Sequence, residues 1–211
     1  MIHNVIRLYR RETIYFEEGG SEHTDATIDL AYDAARELGI EKVIVASTTG
    51  ESGVKVAERF IGSGVDVIVV GHQFGYPILG QNRFNPENMN RLKELGARVC
   101  LSTDVLTTPM RQRERLGPSP LSVITQALIM MKIKVNVEVV VKAADNGIVC
   151  PGERVISLTG SHSGLDTAIV LEAQESSNIL DIQLREIITM PLSRRKANEE
   201  YMKSLKAEKA N

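Results

Sequence analysis

The stretch 42–60 reads KVIVASTTGESGVKVAERF and decides the fold class. Its first five residues, Lys42–Ala46, are almost wholly apolar, which is typical of a strand buried on both faces of a sheet. Residues 51–61 then show helical spacing, and Gly62 ends the pattern. A short buried strand that leads directly into a helix indicates an α/β protein with a parallel sheet.

Strand and helix patterns alternate along the rest of the chain. Further strands are predicted where a short apolar run is bounded by turn residues: 13–17, 66–70, 97–101, 154–158, Thr167–Glu172 and 182–188. Further helices are predicted where apolar residues recur at helical spacing: Thr24–Leu38, 86–95 and 121–131. The β-α-β-α-β order of the first half indicates parallel strands joined by right-handed crossovers.

The segment 107–120 is rich in Arg and Pro, and we predict an exposed loop there. Its arginines alternate at Arg111, Arg113 and Arg115. They either form a lid that attracts an anion or are simply solvated, and the solvated loop is the interpretation that we favour.

The run 135–141 is ambiguous. Its β-branched residues favour a strand. The pattern continues without a break to Asn146 and stops at Gly147, which favours a helix. We predict a buried helix over 135–146.

Composition excludes several classes of protein. The 211 residues carry 25 Lys and Arg against 27 Asp and Glu, a net charge of −2, so a chain-wide basic footprint for nucleic acid is absent. No apolar run approaches the roughly 20 residues of a membrane span, and the N-terminus lacks the pattern of a signal peptide. We therefore expect a cytoplasmic protein without a nucleic-acid or membrane partner.

The two cysteines, Cys100 and Cys150, are too few for a disulfide framework or a four-ligand zinc site, and we expect no metal. We predict a single domain over residues 1–192. The tail that follows, 193–211, has six Lys or Arg and three Glu, and we expect it to be solvated or a frayed helix.

The first candidate binding site is the loop after the predicted strand Lys42–Ala46. Its hydroxyl and glycine residues would leave backbone N–H groups facing an anion at the positive end of the next helix. These residues are Ser47, Thr48, Thr49, Gly50, Ser52 and Gly53. We expect Gly50 to leave room for the anion. The loop has neither the Lys-Ser/Thr ending of a P-loop nor a GxGxxG fingerprint, and the alternative is an ordinary helix cap.

Three further groups follow predicted strands. They are His72, Gln73, Phe74 and Gly75 after 66–70, Ser102 and Thr103 after 97–101, and Gly160, Ser161, His162 and Ser163 after 154–158. Open α/β sheets bind ligands at the carboxyl ends of their strands, where strand order reverses. The alternatives are a surface loop with packed aromatics, simple capping and a long hairpin loop. Asp145 lies at a predicted helix end near the expected ligand-binding crevice. It either binds a ligand hydroxyl or simply caps the helix end and is solvated.

A resemblance supports this interpretation. The stretch 42–60 resembles the start of the pyruvate kinase C-terminal domain, and VISLTGSHSGLDTAIVL at 155–171 resembles its later strand, loop and returning strand. The similarity is closer to small stand-alone archaeal proteins identified as pyruvate kinase α/β domains. For these it includes YFEE at 15–18, HQFG at 72–75, KAADNG at 142–147 and REIITMP at 185–191.

The resemblance implies a three-layer α/β/α fold. Its core sheet would have the order 3-2-1-4-5, counted from Lys42–Ala46 as the first strand, with Thr167–Glu172 as the last strand and antiparallel. In pyruvate kinases the matching loops hold a sugar bisphosphate effector, and in the stand-alone group the implied ligand is flavin mononucleotide (FMN). The loop 160–163 lacks the Trp and Arg of the kinase pattern. The catalytic barrel is absent as well, so we expect no phosphoryl transfer to ADP.

Our leading hypothesis is a protein that binds FMN or another small phosphorylated ligand. The phosphate would lie on 48–53, and the flavin ring would lie toward 72–76 and 102–103, with 160–163 closing the crevice. The ring would stack on Phe74 or Tyr76, and Gln73 or a backbone group would read its pyrimidine edge. If the protein is an enzyme, it would be an FMN-dependent oxidoreductase, with no catalytic residue assigned. The alternatives are a regulatory module that senses a phosphorylated metabolite through oligomer contacts, and a structural relic with an empty crevice. We expect a homo-oligomer.

Overall fold

A computed structural model describes residues 9–76, 78–194 and Glu199. Its strands are β1 (Ile14–Glu18), β2 (Lys42–Ala46), β3 (Asp66–Gly71), β4 (Arg98–Leu101), β5 (Arg154–Thr159), β6 (Thr167–Glu172) and β7 (Gln183–Ser193). Its helices are α1 (Thr24–Leu38), α2 (Glu51–Phe60), α3 (Pro86–Glu94), α4 (Thr107–Leu116), α5 (Pro120–Met130) and α6 (Lys134–Asp145). Short 3-10 helices span Ser21–His23 and Ser176–Asp181.

The strands form one mixed sheet in the order β1-β7-β6-β5-β2-β3-β4. β5, β2, β3 and β4 are parallel neighbours, and β6 runs antiparallel to β5. The predicted five-strand core is therefore confirmed. The sheet extends further than predicted, because β7 pairs antiparallel with β6 and β1 pairs parallel with β7. This second pairing also explains why β7 continues to Ser193, beyond the predicted end at Ile188.

Two apolar cores lie on opposite faces of the sheet, as a three-layer fold requires. One core joins the sheet to α1, α2 and α3 through residues such as Ile28, Phe60 and Leu92. The other joins it mainly to α6, through Val137, Val140 and their neighbours. The predicted α/β/α class is confirmed.

The prediction of a loop over 107–120 is wrong, because the chain forms α4 there and begins α5 at Pro120. The carboxylate of Glu138, 31 residues away, accepts the backbone N–H and the hydroxyl of Thr107 and the N–H of Leu106. It thereby caps the amino end of α4. Pro109 lies in the first turn, where its missing N–H costs no helix hydrogen bond. The cap comes from a distant residue, so local composition did not reveal the helix.

The predicted helix over 135–146 is confirmed. α6 spans Lys134–Asp145, and every residue in its central stretch, 136–144, is buried. Its β-branched side chains fill the second core instead of forming a strand.

None of the helices within the described ranges is both long enough and apolar enough to cross a membrane. Of the predicted tail, 193–211, only Ser193, Arg194 and Glu199 are among the described residues, and Ser193 is the last residue of β7. The remaining tail residues lie outside them.

Candidate functional site

The predicted loops meet at one edge of the sheet. Val45 of β2 lies beside Leu158 of β5, and Gly71 of β3 lies beside Leu101 of β4. The loops that begin at residues 47, 72, 102 and 160 therefore leave the carboxyl ends of four adjacent parallel strands. The connection to β5 crosses to the other side of β2, so strand order reverses between β2 and β5, where ligands bind in open α/β sheets.

The loop between β2 and α2 keeps its donors available. Ser47 donates its N–H to the carbonyl of Val70, which ties the loop to β3. No side chain caps the amino end of α2. Among the described residues, the half-buried hydroxyls of Thr48, Thr49 and Ser52 make no hydrogen bond. The alternative of an ordinary hydroxyl cap is therefore not what the chain forms. The helix end retains both amide and hydroxyl donors for an anion.

Gly50 lies in close contact with neighbouring side chains. Its φ of 91° is in the left-handed region. A Cβ there would lie 2.7 Å from the ring of Phe84 and 2.8 Å from Cβ of Asn88. Thr49 strengthens the same contact, since its carbonyl accepts the N–H of Asn85 and the side-chain amide of Asn88. Gly50 thus serves close packing against α3, and a larger residue there would test packing before ligand binding.

A buried ion pair lies beyond the ends of β3 and β4. Lys142 of α6 donates from Nζ to Asp104 Oδ1 at 2.8 Å and to the carbonyl of Gly71 at 2.6 Å. The two side chains are 3% and 2% exposed. Gly71 in turn borders the first loop, because a Cβ on it would lie 3.4 Å from the carbonyl oxygen of Ser47. The ion pair is therefore adjacent to the predicted phosphate loop.

Two predicted site residues and one arginine surround the same carboxylate. His72 Nδ1 lies 3.1 Å from Asp104 Oδ2, and Arg111 donates to that oxygen at 2.9 Å. Gln73 accepts the backbone N–H of Asp104 through Oε1. The guanidinium of Arg111 also lies over the ring of Tyr76, 3.4 Å from its centroid. α4, the helix that replaces the predicted loop, thus brings Arg111 to this edge.

The cluster around Asp104 combines one carboxylate with two cationic side chains. Burial alone would raise the pKa of Asp104, but hydrogen bonds from His72 and Lys142 and the charge of Lys142 hold that pKa well below its usual range. Asp104 is therefore ionised. Lys142 and Arg111 both form ion pairs with this single carboxylate. These three side chains together therefore carry a net positive charge.

The loop 160–163 begins beside the loop of β2 but is built differently. Ser161 donates its N–H to Asp166, while its hydroxyl is buried and has no hydrogen-bond partner among the described residues. His162 and Ser163 are exposed. The carboxyl end of β5 is further held by Thr159, which donates to Asn136 of α6.

The other predicted site residues differ in position. Phe74 is 69% exposed at the end of β3. The hydroxyl of Ser102 lies 3.7 Å from the sulfur of Cys100, and Thr103 is exposed at the end of β4. Asp145 is not at this edge. It accepts the N–H of Ser176, which follows β6 on the side where β5 begins. It therefore caps a turn away from the crevice.

Sequence reasoning missed Asp104 and Lys142 and placed Arg111 in a solvated loop. One signal was available for Lys142. Glu138 and Lys142 stand four residues apart in an otherwise apolar helical run, so a buried α6 places two charges on one face, where each needs a partner. Asp104 follows the predicted residues Ser102 and Thr103 directly. Among the described residues, no group of three or more His, Cys, Asp or Glu side chains could hold a metal ion.

No protein-family model matches this chain. Among solved structures, the crystal structure of a pyruvate kinase from Cryptosporidium parvum is similar, with a TM-score of 0.38 and 13% sequence identity. The similar region covers 72% of this chain and 23% of the pyruvate kinase chain, so this chain spans less than a quarter of that protein. A likeness this distant assigns neither a ligand nor an activity.

Proposed function

We propose that this chain binds a small phosphorylated ligand at the carboxyl edge of β2–β5, and that the ligand is FMN. The observation that carries the proposal is the uncapped amino end of α2. Three hydroxyls, those of Thr48, Thr49 and Ser52, stand beside helix amides without a partner among the described residues. A phosphate needs several donors at once, and this arrangement supplies them.

The charge around the loop supports an anionic ligand. Lys142 and Arg111 exceed the single negative charge of Asp104, and Gly71 joins this cluster to the loop of Ser47. The loop itself contains no lysine or arginine. Amides and hydroxyls would therefore hold the phosphate directly, while the cluster raises the local potential.

The residues present fit an FMN molecule at both of its ends. The phosphate would be held at the amino end of α2, and the exposed ring of Phe74 offers a stacking surface. Tyr76 is a poorer stacking partner than predicted, because Arg111 already covers one face of its ring. Gln73 would read the pyrimidine edge with its NH₂ group, because its carbonyl is engaged by Asp104. FMN would supply redox chemistry, and the chain would supply orientation and charge.

The test compares FMN with riboflavin, which differs only in lacking the phosphate. The purified protein is first examined for a flavin absorbance spectrum and then titrated with each flavin, with flavin fluorescence as the readout. We expect FMN to bind at least about tenfold more tightly, as charge-assisted hydrogen bonds to a phosphate imply. Equal affinity for both flavins would contradict a phosphate site, and no binding of either would contradict FMN as the ligand.

The alternative function, a non-catalytic sensor of a phosphorylated metabolite, would use the same loop. Measurements on the same purified protein distinguish this function from FMN binding. A colourless preparation that ignores FMN, but whose melting temperature rises with a sugar phosphate, would favour the sensor.

We also propose that the chain works as a homo-oligomer in the cytoplasm. The outer face of α5 supports self-association, because Val123 and Met130 are exposed there, followed by Met131. Light scattering should give a multiple of the 23.3 kDa chain mass. A monomer at micromolar concentration would contradict this proposal.

A further inference from the structure

The cluster around Asp104 has an unusual division of donors and acceptors. Both carboxylate oxygens of Asp104 accept hydrogen bonds, Oδ1 from Lys142 and Oδ2 from His72 and Arg111. The carbonyl of Gln73 is also engaged, by the N–H of Asp104. The oxygen acceptors of Asp104 and Gln73 are thus occupied inside the cluster, while Arg111 and the NH₂ group of Gln73 are donors.

Several of these donors remain available. A guanidinium has five N–H groups, and among the described residues only one nitrogen of Arg111 is bonded, to Asp104. The NH₂ group of Gln73 keeps both of its donors, since only its oxygen makes a bond within the described ranges. The side chains of Arg111 and His72 are 32% and 37% exposed, so a small molecule at this edge can reach them.

The charges of the cluster, like its available hydrogen-bond donors, favour an anionic ligand. Asp104 is shared between the fully buried Lys142 and Arg111, so these three side chains together carry a net charge of +1. The nearest other carboxylate on α6, Glu138, is neutralised by Lys134 at 2.9 Å and by the amino end of α4. Stacking on Tyr76 and the bond to Asp104 hold Arg111 in place, which lowers the entropic cost of binding an anion.

We propose that Arg111, with Gln73, forms a second anion subsite that binds a carboxylate, phosphate or other acidic group of the ligand. This inference rests on the proposed phosphate site at α2 but not on FMN, whose phosphate is its only acidic group. It deepens the alternative function, the sensor of a phosphorylated metabolite, and narrows that metabolite to molecules with two acidic groups. The phosphate loop follows β2, and the second subsite lies beyond β3 and β4. Neighbouring strands are about 4.8 Å apart, so the two acidic groups would be about 5–10 Å apart.

The test uses two small probes that share a phosphate. 3-Phosphoglycerate carries a phosphate and a carboxylate at opposite ends of a three-carbon chain, whereas glycerol 3-phosphate has a hydroxyl in place of the carboxylate. Both are titrated by calorimetry into the wild-type protein and into Arg111→Gln. We expect the wild type to bind 3-phosphoglycerate about tenfold more tightly, because the carboxylate gains charge-assisted hydrogen bonds. Arg111→Gln should abolish that preference and weaken the binding of glycerol 3-phosphate only slightly, through the lost contribution of its charge to the local potential.

Arg113→Gln is the matched control, since Arg113 is exposed on the same helix, and it should behave as the wild type. Retained binding of glycerol 3-phosphate by Arg111→Gln shows that the variant is folded, and Arg111→Lys, which keeps the charge, provides a milder second variant if it is not. Equal wild-type affinity for the two probes would overturn the second subsite while leaving the phosphate site intact. Failure of the wild type to bind either probe would also overturn the second subsite, whereas the phosphate site itself is tested separately by the comparison of FMN with riboflavin.

Discussion

The ammonium of Lys142 lies 2.8 Å from Asp104 Oδ1, in a pair whose side chains are 3% and 2% exposed. Lys142 belongs to α6, and Asp104 lies in the loop between β4 and α4. The pair therefore fixes the carboxyl edge of β4 to the helix on the second face of the sheet. A second contact, from Lys142 to the carbonyl of Gly71, extends this fixation to β3.

Removing one partner of this ion pair should strongly destabilise the fold. Lys142→Met leaves Asp104 buried without its closest cation, and we expect the free energy of unfolding to fall by about 3–5 kcal/mol. Urea unfolding at pH 7 measures the change. The control is Arg98→Met, which breaks the exposed pair with Asp66 and should cost at most about 1 kcal/mol. Similar losses in the two variants would mean that the buried pair contributes no more than a surface pair.

Stability should depend on pH through Asp104 and Glu138. Opposing effects of burial and of Lys134 and Thr107 leave the pKa of Glu138 below its usual value, and the pKa of Asp104 is also lowered. A lowered folded-state pKa stabilises the fold above the unfolded pKa of about 4, and this contribution is lost as pH falls through the folded value. We expect the free energy of unfolding to decrease steadily below about pH 4. Glu138→Gln should be less stable at pH 7 and show a shallower decrease, whereas parallel curves would contradict the role of Glu138.

Gly50→Ala should destabilise the fold more than Gly62→Ala. Both glycines have positive φ, but only at Gly50 would a Cβ clash with Phe84 and Asn88, since nothing lies within 4 Å of the corresponding position at Gly62. The control therefore measures backbone strain alone, of the order of 1 kcal/mol. Thermal unfolding of both variants measures the two losses of stability. Equal losses would show that α3 shifts to accommodate the added methyl group.

Phe74→Ala tests the ring end of the proposed FMN site. The side chain is 69% exposed, so stability should be unchanged. Loss of stacking should weaken FMN and riboflavin alike, by about 1–3 kcal/mol by analogy with nucleobases stacked on aromatic side chains. Fluorescence titration gives both affinities. Unchanged binding of both flavins would place the ring away from β3.

The sequence predicted the core sheet because buried parallel strands leave a local signature, short apolar runs such as Lys42–Ala46 with a helix after each. It did not predict α4, since the residue that caps this helix is Glu138 on α6. The sequence also predicted that the candidate loops lie at one edge of the sheet, because strand order determines where they emerge. It did not predict the ion pair at the site, because Asp104 and Lys142 stand 38 residues apart and only the packing of α6 on the sheet brings them together.

The most direct test of the account is a flavin titration of the double variant Thr48→Ala/Thr49→Ala, with Ser177→Ala near the opposite edge of the sheet as its control. If the phosphate lies at the amino end of α2, the double variant should lose about 1–3 kcal/mol of FMN affinity for each hydroxyl that contacts the phosphate. Its affinity for riboflavin should not change, and the control should bind both flavins as the wild type does. An FMN affinity equal to that of the wild type would place the phosphate elsewhere and contradict the account.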